Sequence, residues 1–153
     1  MSDMFDQKWD IRFLQLAHEV ATWSKDPSVQ VGAVIIDHER KPVSFGYNGF
    51  PSGIPDDDTS LENDEVRRDL MVHAEMNAIL QAERYKLKGS TLFVWPMFPC
   101  PRCAVNILAS GIKRVITTDY EPDRWIEPFK KSKNIFGQHD PDIGYIQYPY
   151  NET

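Results

Sequence analysis

The sequence predicts an α/β sandwich built around a mixed sheet, and three observations support this fold class. Amphipathic segments alternate with short apolar ones in the order helix, strand, strand, helix, strand, helix, strand. A length of 153 residues suits one domain, which we place at residues 1–153. Hydrophobic residues make up 41% and charged residues 26% of the chain, which excludes a disordered or collagenous chain.

The first helix is predicted from about Phe5 to Ser24, where no proline or glycine interrupts one apolar stripe. That stripe consists of Ile11, Leu14, Ala17, His18 and Ala21. A break at 24–27 leads to a nearly continuous apolar run, 29–36, which indicates a strand covered on both faces. After a polar turn, a second strand runs from about Val43 to Tyr47, so these two strands predict a hairpin.

Residues 48–63 contain several glycines and prolines and an acidic run, and they predict a long loop. Compact domains usually keep such loops for function, although a solvated surface loop is the alternative. A helix is then predicted from about His73 to Arg84, because strong helix formers there carry apolar residues at helical spacing.

The second half of the chain predicts two more strands and a helix between them. The strands cover Thr91–Val94 and Lys113–Thr118, and the helix begins near Pro101 and ends at Gly111, a typical C-terminal cap. In the tail, a broken helix is predicted around 124–135 and a short strand around 143–148.

Three side chains with zinc-ligand chemistry lie at the starts of two predicted helices. They are His73 and the pair Cys100 and Cys103, and these two cysteines cannot build a disulfide framework. A helix N-terminus lowers the pKa of a thiol and thereby favours the thiolate that binds zinc. Because structural zinc sites are usually closed by four protein ligands, three ligands predict a catalytic zinc with one open position.

Glu75 lies in the first turn after His73, where it can transfer protons without being a metal ligand. Together with Pro99, Cys100 and Cys103 it completes the pattern H-x-E…P-C-x-x-C, which is typical of zinc nucleobase deaminases. A dithiol redox motif is the alternative for the cysteine pair alone, but it would leave His73 and Glu75 unexplained.

Further motifs extend this pattern beyond the zinc ligands. They are SKDP at 24–27, QVGAVI at 30–35, GYNGFP at 46–51 and HAEMNAI at 73–79. With these motifs the sequence resembles the cytidine deaminase superfamily, and within it the dCMP deaminases. The resemblance implies a three-layer α/β/α fold with a five-stranded mixed sheet. It also implies hydrolysis of dCMP to dUMP and ammonia.

The resemblance also implies roles for individual residues. His73, Cys100 and Cys103 would bind one catalytic Zn²⁺ per chain, which supplies an activated water for attack on C4 of cytosine. Glu75 would move the protons, the N–H of Ala74 would meet the pyrimidine O2, and Asn48 would approach the sugar hydroxyl. A second, structural zinc is not expected, because both cysteines are already assigned.

Recognition of the phosphate is predicted to involve Arg102, which we place among the substrate-binding residues, and Lys25. Arg67 and Arg68 are further candidates, and each of these cations is otherwise a solvated surface charge. Aromatic packing against the base is expected from one of three residues, with ordinary core packing as the alternative. These are Phe50, Trp95 and Phe98.

The resemblance further implies allosteric control of a homohexamer that supplies dUMP for thymidylate synthesis. dCTP would activate and dTTP would inhibit, with Mg²⁺ accompanying these nucleotides. The effector site would lie near subunit contacts and would use two segments of the chain. Its residues would be Ser24, Lys25, Asp26, Gly46, Tyr47, Asn48 and Gly49.

The net charge of the chain limits the classes of partner that it can attract. With 17 basic and 23 acidic side chains the net charge is −6, which gives no general attraction to long nucleic acids or anionic membranes. The acidic N-terminus lacks signal-peptide character, so we expect a cytoplasmic protein. Alternatives are a deaminase of dCTP or cytidine, or a catalytically idle zinc-containing nucleotide-binding module.

Overall fold

A five-stranded mixed sheet forms the centre of the computed structural model, which describes residues 6–139, 141 and 143–153. The strands are β1 (Gly32–Ile36), β2 (Pro42–Tyr47), β3 (Thr91–Trp95), β4 (Arg114–Thr118) and β5 (Gly144–Tyr148). They lie side by side in the order β2, β1, β3, β4, β5. The pairs of β1 with β2 and with β3 are antiparallel, and the other two are parallel. The predicted mixed sheet and its hairpin are therefore confirmed.

Helices connect and cover these strands. They are α1 (Gln7–Ala21), α2 (Asp58–Glu62), α3 (Asp64–Leu70), α4 (Ala74–Gln81), α5 (Arg84–Leu87), α6 (Pro101–Ser110) and α7 (Ile126–Gln138). The side chain of Asp6 caps α1, and the predicted start of that helix at Phe5 lies outside the described residues. Gly111 ends α6 at a φ of 90°, the left-handed conformation that favours glycine. None of these helices, within the residues described, is long and apolar enough to cross a membrane.

The helices pack on both faces of the sheet, which gives three layers. Helix α1 covers one face, where Leu14, Ala17 and Val20 share a buried cluster with sheet residues such as Phe93. Helices α4, α6 and α7 cover the other face with a larger apolar cluster. The predicted three-layer α/β/α fold is thus confirmed. This arrangement brings the first turns of α4 and α6 close together.

Two predictions about the helices are wrong. The loop predicted at 48–63 contains α2 and is followed at once by α3, because Asp57 and Asn63 each cap a short helix. Their side chains accept hydrogen bonds from the backbone N–H groups of Ser60 (2.8 Å) and Val66 (3.1 Å). The helix predicted to reach Arg84 ends earlier, since the extended backbone of Ala82 separates α4 from α5.

Candidate active site

The three predicted metal ligands converge at the starts of two neighbouring helices. His73 is the N-cap residue of α4, Cys100 is the N-cap residue of α6, and Cys103 lies in the first turn of α6. The Nδ1 atom of His73 lies 3.5 Å from Sγ of Cys100 and 3.4 Å from Sγ of Cys103. All ligand atoms lie within 4.8 Å of one another, which fits one zinc ion at bond lengths of about 2.0–2.3 Å.

Cys100 is the thiol of this cluster that ionises most readily. The pKa of Cys100 is lowered to about 4, chiefly by its hydrogen bond with Cys103 and further by that with His73. The pKa of Cys103 is raised by the hydrogen bond with Cys100, so the negative charge concentrates on Cys100. Among the residues that the structure describes, this is the single cluster of three or more potential metal ligands.

Glu75 lies next to this cluster in the first turn of α4. Glu75 is only 5% exposed. Burial raises the pKa of its carboxyl group to about 7, although the charge of His73 acts in the opposite direction. A carboxyl group with a pKa near neutrality can both accept and return a proton at physiological pH. Glu75 is therefore suited to carry protons beside the predicted metal site.

His73, Cys100 and Glu75 line a cavity of about 470 Å³, a size typical of small-molecule sites. Its apolar wall contains Val29, Val31, Met71, Met97, Phe98 and Trp125. Its polar wall contains Asp26, Ser28, Asn48, Arg67, Arg68 and Arg124. The cavity thus combines an acidic, metal-binding end with a group of three arginines.

The predicted substrate residues divide between the cavity wall and the outer surface. Asn48 and Ala74 both line the cavity. Arg102, in contrast, is exposed in the first turn of α6 and is not part of the wall. The Nζ atom of Lys25 is also exposed, 3.1 Å from Oδ2 of Asp56. The structure therefore places neither favoured phosphate ligand in the cavity.

Three arginines line the cavity: the further candidates Arg67 and Arg68, and Arg124, which was not a candidate. Arg67 donates to the backbone oxygen of Leu61 (2.7 Å) and to Oδ1 of Asp64 (2.9 Å), which joins α2 to α3. Arg124 is exposed, and its Nη2 atom lies 3.4 Å from the hydroxyl oxygen of Ser28. The exposed guanidinium groups of Arg68 and Arg124 can therefore meet an anion.

Sequence reasoning missed Arg124 and Trp125 as cavity residues. Both belong to the 3₁₀ turn Asp123–Trp125, which follows the carboxyl end of β4. Ligands of open α/β sheets bind at the carboxyl ends of parallel strands, so this position was the available signal. Of the three aromatic candidates, Phe98 lines the cavity, whereas Trp95 stacks on His18 with ring centroids 3.7 Å apart. Phe50 is not part of the wall.

The two segments assigned to an effector site meet beside this cavity. Ser24 is buried and donates to the backbone oxygen of Asn48 (2.7 Å), and Asp26 lies in the cavity wall. Gly46 packs directly against α4, and Tyr47 contacts the ring of Trp23 edge-on at 6.2 Å. A backbone bridge joins Gly49 to Val72, next to the predicted metal ligand His73. These contacts brace the wall of the catalytic cavity.

The layered fold, the His/Cys/Cys cluster and the buried glutamate together define the class of zinc-binding nucleobase deaminases. Residues 7–119 match the family described as the cytidine and deoxycytidylate deaminase zinc-binding region, and the chain belongs to this family. The predicted enzyme class, a hydrolytic deaminase, is confirmed, and so is the resemblance to dCMP deaminases.

Several curated proteins are similar to this chain. An uncharacterized deaminase in the luxG 3′ region of Aliivibrio fischeri is 42% identical over 142 residues, which are 91% of this chain and 94% of that protein. The human deoxycytidylate deaminase is 40% identical over 114 residues, and the match covers 71% of this chain and 64% of the human protein. The deoxycytidylate deaminase of Mycobacterium phage D29 is 37% identical over 120 residues, and the match covers 71% of this chain and 92% of the phage protein.

Solved structures with a similar fold include the dCMP deaminase of cyanophage S-TIM5. Its apo form gives a TM-score of 0.65 at 24% identity, covering 92% of this chain and 99% of that one. Its complex with dCMP and dUMP gives a TM-score of 0.68 at 21% identity, and the match covers 93% of this chain and 98% of that one. At these identities the likeness supports the fold alone.

Proposed function

We propose that this chain catalyses the zinc-dependent hydrolytic deamination of dCMP to dUMP and ammonia. The observation that carries the proposal is the cavity, because it joins a metal-ligand cluster and a buried glutamate to a group of arginines. A pyrimidine base suits the first end and a phosphate suits the second. Relatives at 37–40% identity that are named deoxycytidylate deaminases support the same substrate.

His73, Cys100 and Cys103 hold the zinc, and one zinc binds per chain. The ion supplies Lewis acidity, which lowers the pKa of water toward neutrality. Glu75 accepts the proton that water releases on addition to C4 and delivers it to N3 of the cytosine ring. Glu75 then takes the remaining proton of that water, from the hydroxyl group now on C4, and transfers it to the 4-amino nitrogen, so that the C4–N bond breaks, C4 becomes a carbonyl and ammonia leaves.

Backbone and side chains of the same cavity orient the nucleotide. The N–H of Ala74 has no acceptor within α4, because it belongs to the first turn, and it donates to the pyrimidine O2. Arg68, Arg124 and the hydroxyl of Ser28 bind the 5′-phosphate, since they line the cavity and are exposed. Arg67 holds α2 and α3 in place beside them.

The test is ammonia release from dCMP, dCTP, deoxycytidine and cytosine, measured side by side on protein of known zinc content. We expect a strong preference for dCMP, because its base suits the end with Cys100 and Glu75 and its single phosphate suits the end with the arginines. Equal rates on deoxycytidine would contradict the phosphate assignment. A preference for dCTP or cytidine would favour another cytosine deaminase, and no release from any substrate would favour an idle nucleotide-binding module.

We also propose that dCTP with Mg²⁺ activates the enzyme, that dTTP inhibits it, and that its product supplies thymidylate synthesis. The segments that contain Ser24–Asp26 and Gly46–Gly49 support this regulation, because they touch the cavity wall where a bound effector would act. The corresponding measurement is the rate against dCMP concentration with and without each triphosphate. Hyperbolic curves that neither nucleotide changes would remove the regulatory proposal.

A homohexamer of one-domain chains, residues 1–153, completes the proposal. Trp23, Phe45 and Tyr47 form an exposed aromatic group beside the edge strand β2, which supports burial against another subunit. We place the enzyme in the cytoplasm, where reducing conditions keep both cysteines available to zinc. Sedimentation equilibrium gives the subunit number, and a monomer at micromolar concentration would contradict this assembly.

A further inference from the structure

Asp26 places a carboxylate in the wall of the catalytic cavity, and only 8% of its side chain is exposed. Its Oδ1 atom accepts hydrogen bonds from the backbone N–H groups of Ser28 (2.7 Å) and Val29 (3.2 Å). The same oxygen lies 3.9 Å from Nε of Arg67. One carboxylate oxygen therefore holds the local chain and the arginine beside it.

The second carboxylate oxygen of Asp26, Oδ2, accepts fewer hydrogen bonds than Oδ1. It accepts from Nδ2 of Asn48 at 3.3 Å, a long hydrogen bond. Nδ2 of Asn48 also donates to the backbone oxygen of Val29 (2.9 Å), and its Oδ1 accepts from the N–H of Val31 (2.9 Å). Both amide hydrogens of Asn48 are thus engaged within the chain. A carboxylate oxygen accepts two hydrogen bonds, so Oδ2 of Asp26 can take a second donor.

The chemistry of a carboxylate restricts what this donor can be. An anionic acceptor repels a phosphate and the O2 of a pyrimidine, and it favours a neutral hydroxyl group. Asp26 is joined to Arg67 on one side and, through Asn48, to the backbone of Val31 just before β1 on the other. With the base at the metal ligands and the phosphate at Arg68 and Arg124, the sugar lies between them. The deoxyribose of dCMP has one free hydroxyl, at C3′.

We infer that Asp26 accepts a hydrogen bond from the 3′-hydroxyl of the substrate and makes the enzyme select nucleotides that carry it. Asn48 is the positioning residue that aims Oδ2 of Asp26 into the cavity. This inference rests on the proposed function, since it assigns the sugar of the same nucleotide. It replaces Asn48 as the direct partner of the sugar with Asp26.

The test compares kcat/KM for dCMP and for 2′,3′-dideoxycytidine 5′-monophosphate. A hydrogen bond to a charged group predicts that the wild type prefers dCMP by roughly tenfold to a hundredfold. Asp26→Asn keeps an oxygen that can accept from the N–H groups of Ser28 and Val29, but it replaces the acceptor Oδ2 with an NH2 group. The ratio of kcat/KM for dCMP to that for the dideoxy analogue should therefore fall to less than about threefold. Asn48→Ala releases Asp26 and lowers the ratio as well. Asp56→Asn, which removes an acidic charge outside the cavity, leaves the ratio unchanged.

Each other outcome overturns the inference. If Asp26→Asn slows both substrates equally, Asp26 only supports the loop. A third substrate, the 3′-deoxy-3′-fluoro analogue of dCMP, tests the wild type without any substitution, because fluorine cannot donate. Turnover of this analogue at the rate of dCMP would exclude the hydrogen bond. If the wild type does not deaminate dCMP, the proposed function and the inference are both overturned. If the wild type deaminates dCMP well but shows little preference for it over the dideoxy analogue, only the inference is overturned.

Discussion

At the scale of single residues, the proposed mechanism makes turnover depend most directly on Glu75. It is buried beside the metal ligands, and burial raises its pKa to about 7. Glu75→Gln keeps the shape of the side chain but cannot carry a proton. We expect kcat to fall by at least about 100-fold, because general acid–base catalysis contributes on the order of 10² to 10⁴. Ammonia release from dCMP measures this loss.

The same variant separates catalysis from metal binding. Zinc content should stay near one per chain in Glu75→Gln, because Glu75 does not belong to the ligand cluster. Glu39→Gln, in an exposed turn that does not line the cavity, provides the matched control and should keep full activity. Full activity in Glu75→Gln itself would contradict its role as proton carrier.

Cys100→Ser addresses the metal site. A hydroxyl is a much weaker zinc ligand than a thiolate, and the remaining His73 and Cys103 provide only two strong ligands. We expect the zinc content, measured by plasma mass spectrometry, to fall well below one per chain, with loss of activity. Restoration of both by excess Zn²⁺ would indicate weakened binding, and unchanged zinc content at low free zinc would contradict the ligand assignment.

Local motifs explain why the metal ligands and the glutamate beside them could be predicted directly, whereas Arg68 was only one of several candidates and Arg124 was missed. The spacing of Cys100 and Cys103 at a helix start fixes their geometry within one turn, whatever the rest of the fold does. Arg68 and Arg124 reach the cavity only because α3 and the turn after β4 fold back over it. No local pattern separates them from Arg102, which remains at the surface.

At the scale of elements, the position of α4 depends on Gly46 in β2. A Cβ atom at Gly46 would lie 2.6 Å from the backbone nitrogen of Ala78 and 2.8 Å from the backbone oxygen of Ala74. Gly46→Ala must therefore push α4, which carries Glu75, away from the sheet. We expect a loss of about 1–3 kcal/mol in the free energy of unfolding, measured in urea, together with reduced kcat.

Gly137→Ala is the matched control for this substitution. Gly137 lies in α7, and a Cβ atom there would have no neighbour within 4 Å. Alanine favours a helix by about 0.5–1 kcal/mol over glycine, so this variant should be slightly more stable and equally active. Equal stability of Gly46→Ala and the wild type would mean that α4 does not pack on β2 as described.

Periodicity explains which elements the sequence predicts. The buried run of β1 and the apolar stripe of α1 repeat over enough residues to identify their type, and both are confirmed. The helices α2 and α3 have five and seven residues, too few for a clear apolar stripe. Their capping residues, Asp57 and Asn63, were the available signals, but such residues are equally typical of loops.

At the scale of the whole molecule, one buried cluster joins α1 to the far strands of the sheet. Oδ2 of Asp10 accepts from Nη2 of Arg114 (2.8 Å) in β4 and from the hydroxyl of Tyr148 (2.7 Å) in β5. The side chains of Asp10 and Arg114 are 4% and 7% exposed. Burial and the carboxylate raise the pKa of Tyr148 above its ordinary value of 10. Folding therefore favours the protonated phenol.

This raised pKa makes stability depend on alkaline pH. The contribution is fully present below pH 10, where Tyr148 is protonated in both states. Above pH 10 the unfolded chain releases the proton first, so the free energy of unfolding falls as pH rises toward the pKa of the folded state. Urea unfolding of the wild type from pH 8 to 11 should show this decline. The Tyr148→Phe variant should be less stable than the wild type at pH 8, and its free energy of unfolding should fall less steeply with pH. Parallel curves for the two proteins would mean that Tyr148 does not hold its proton against Asp10.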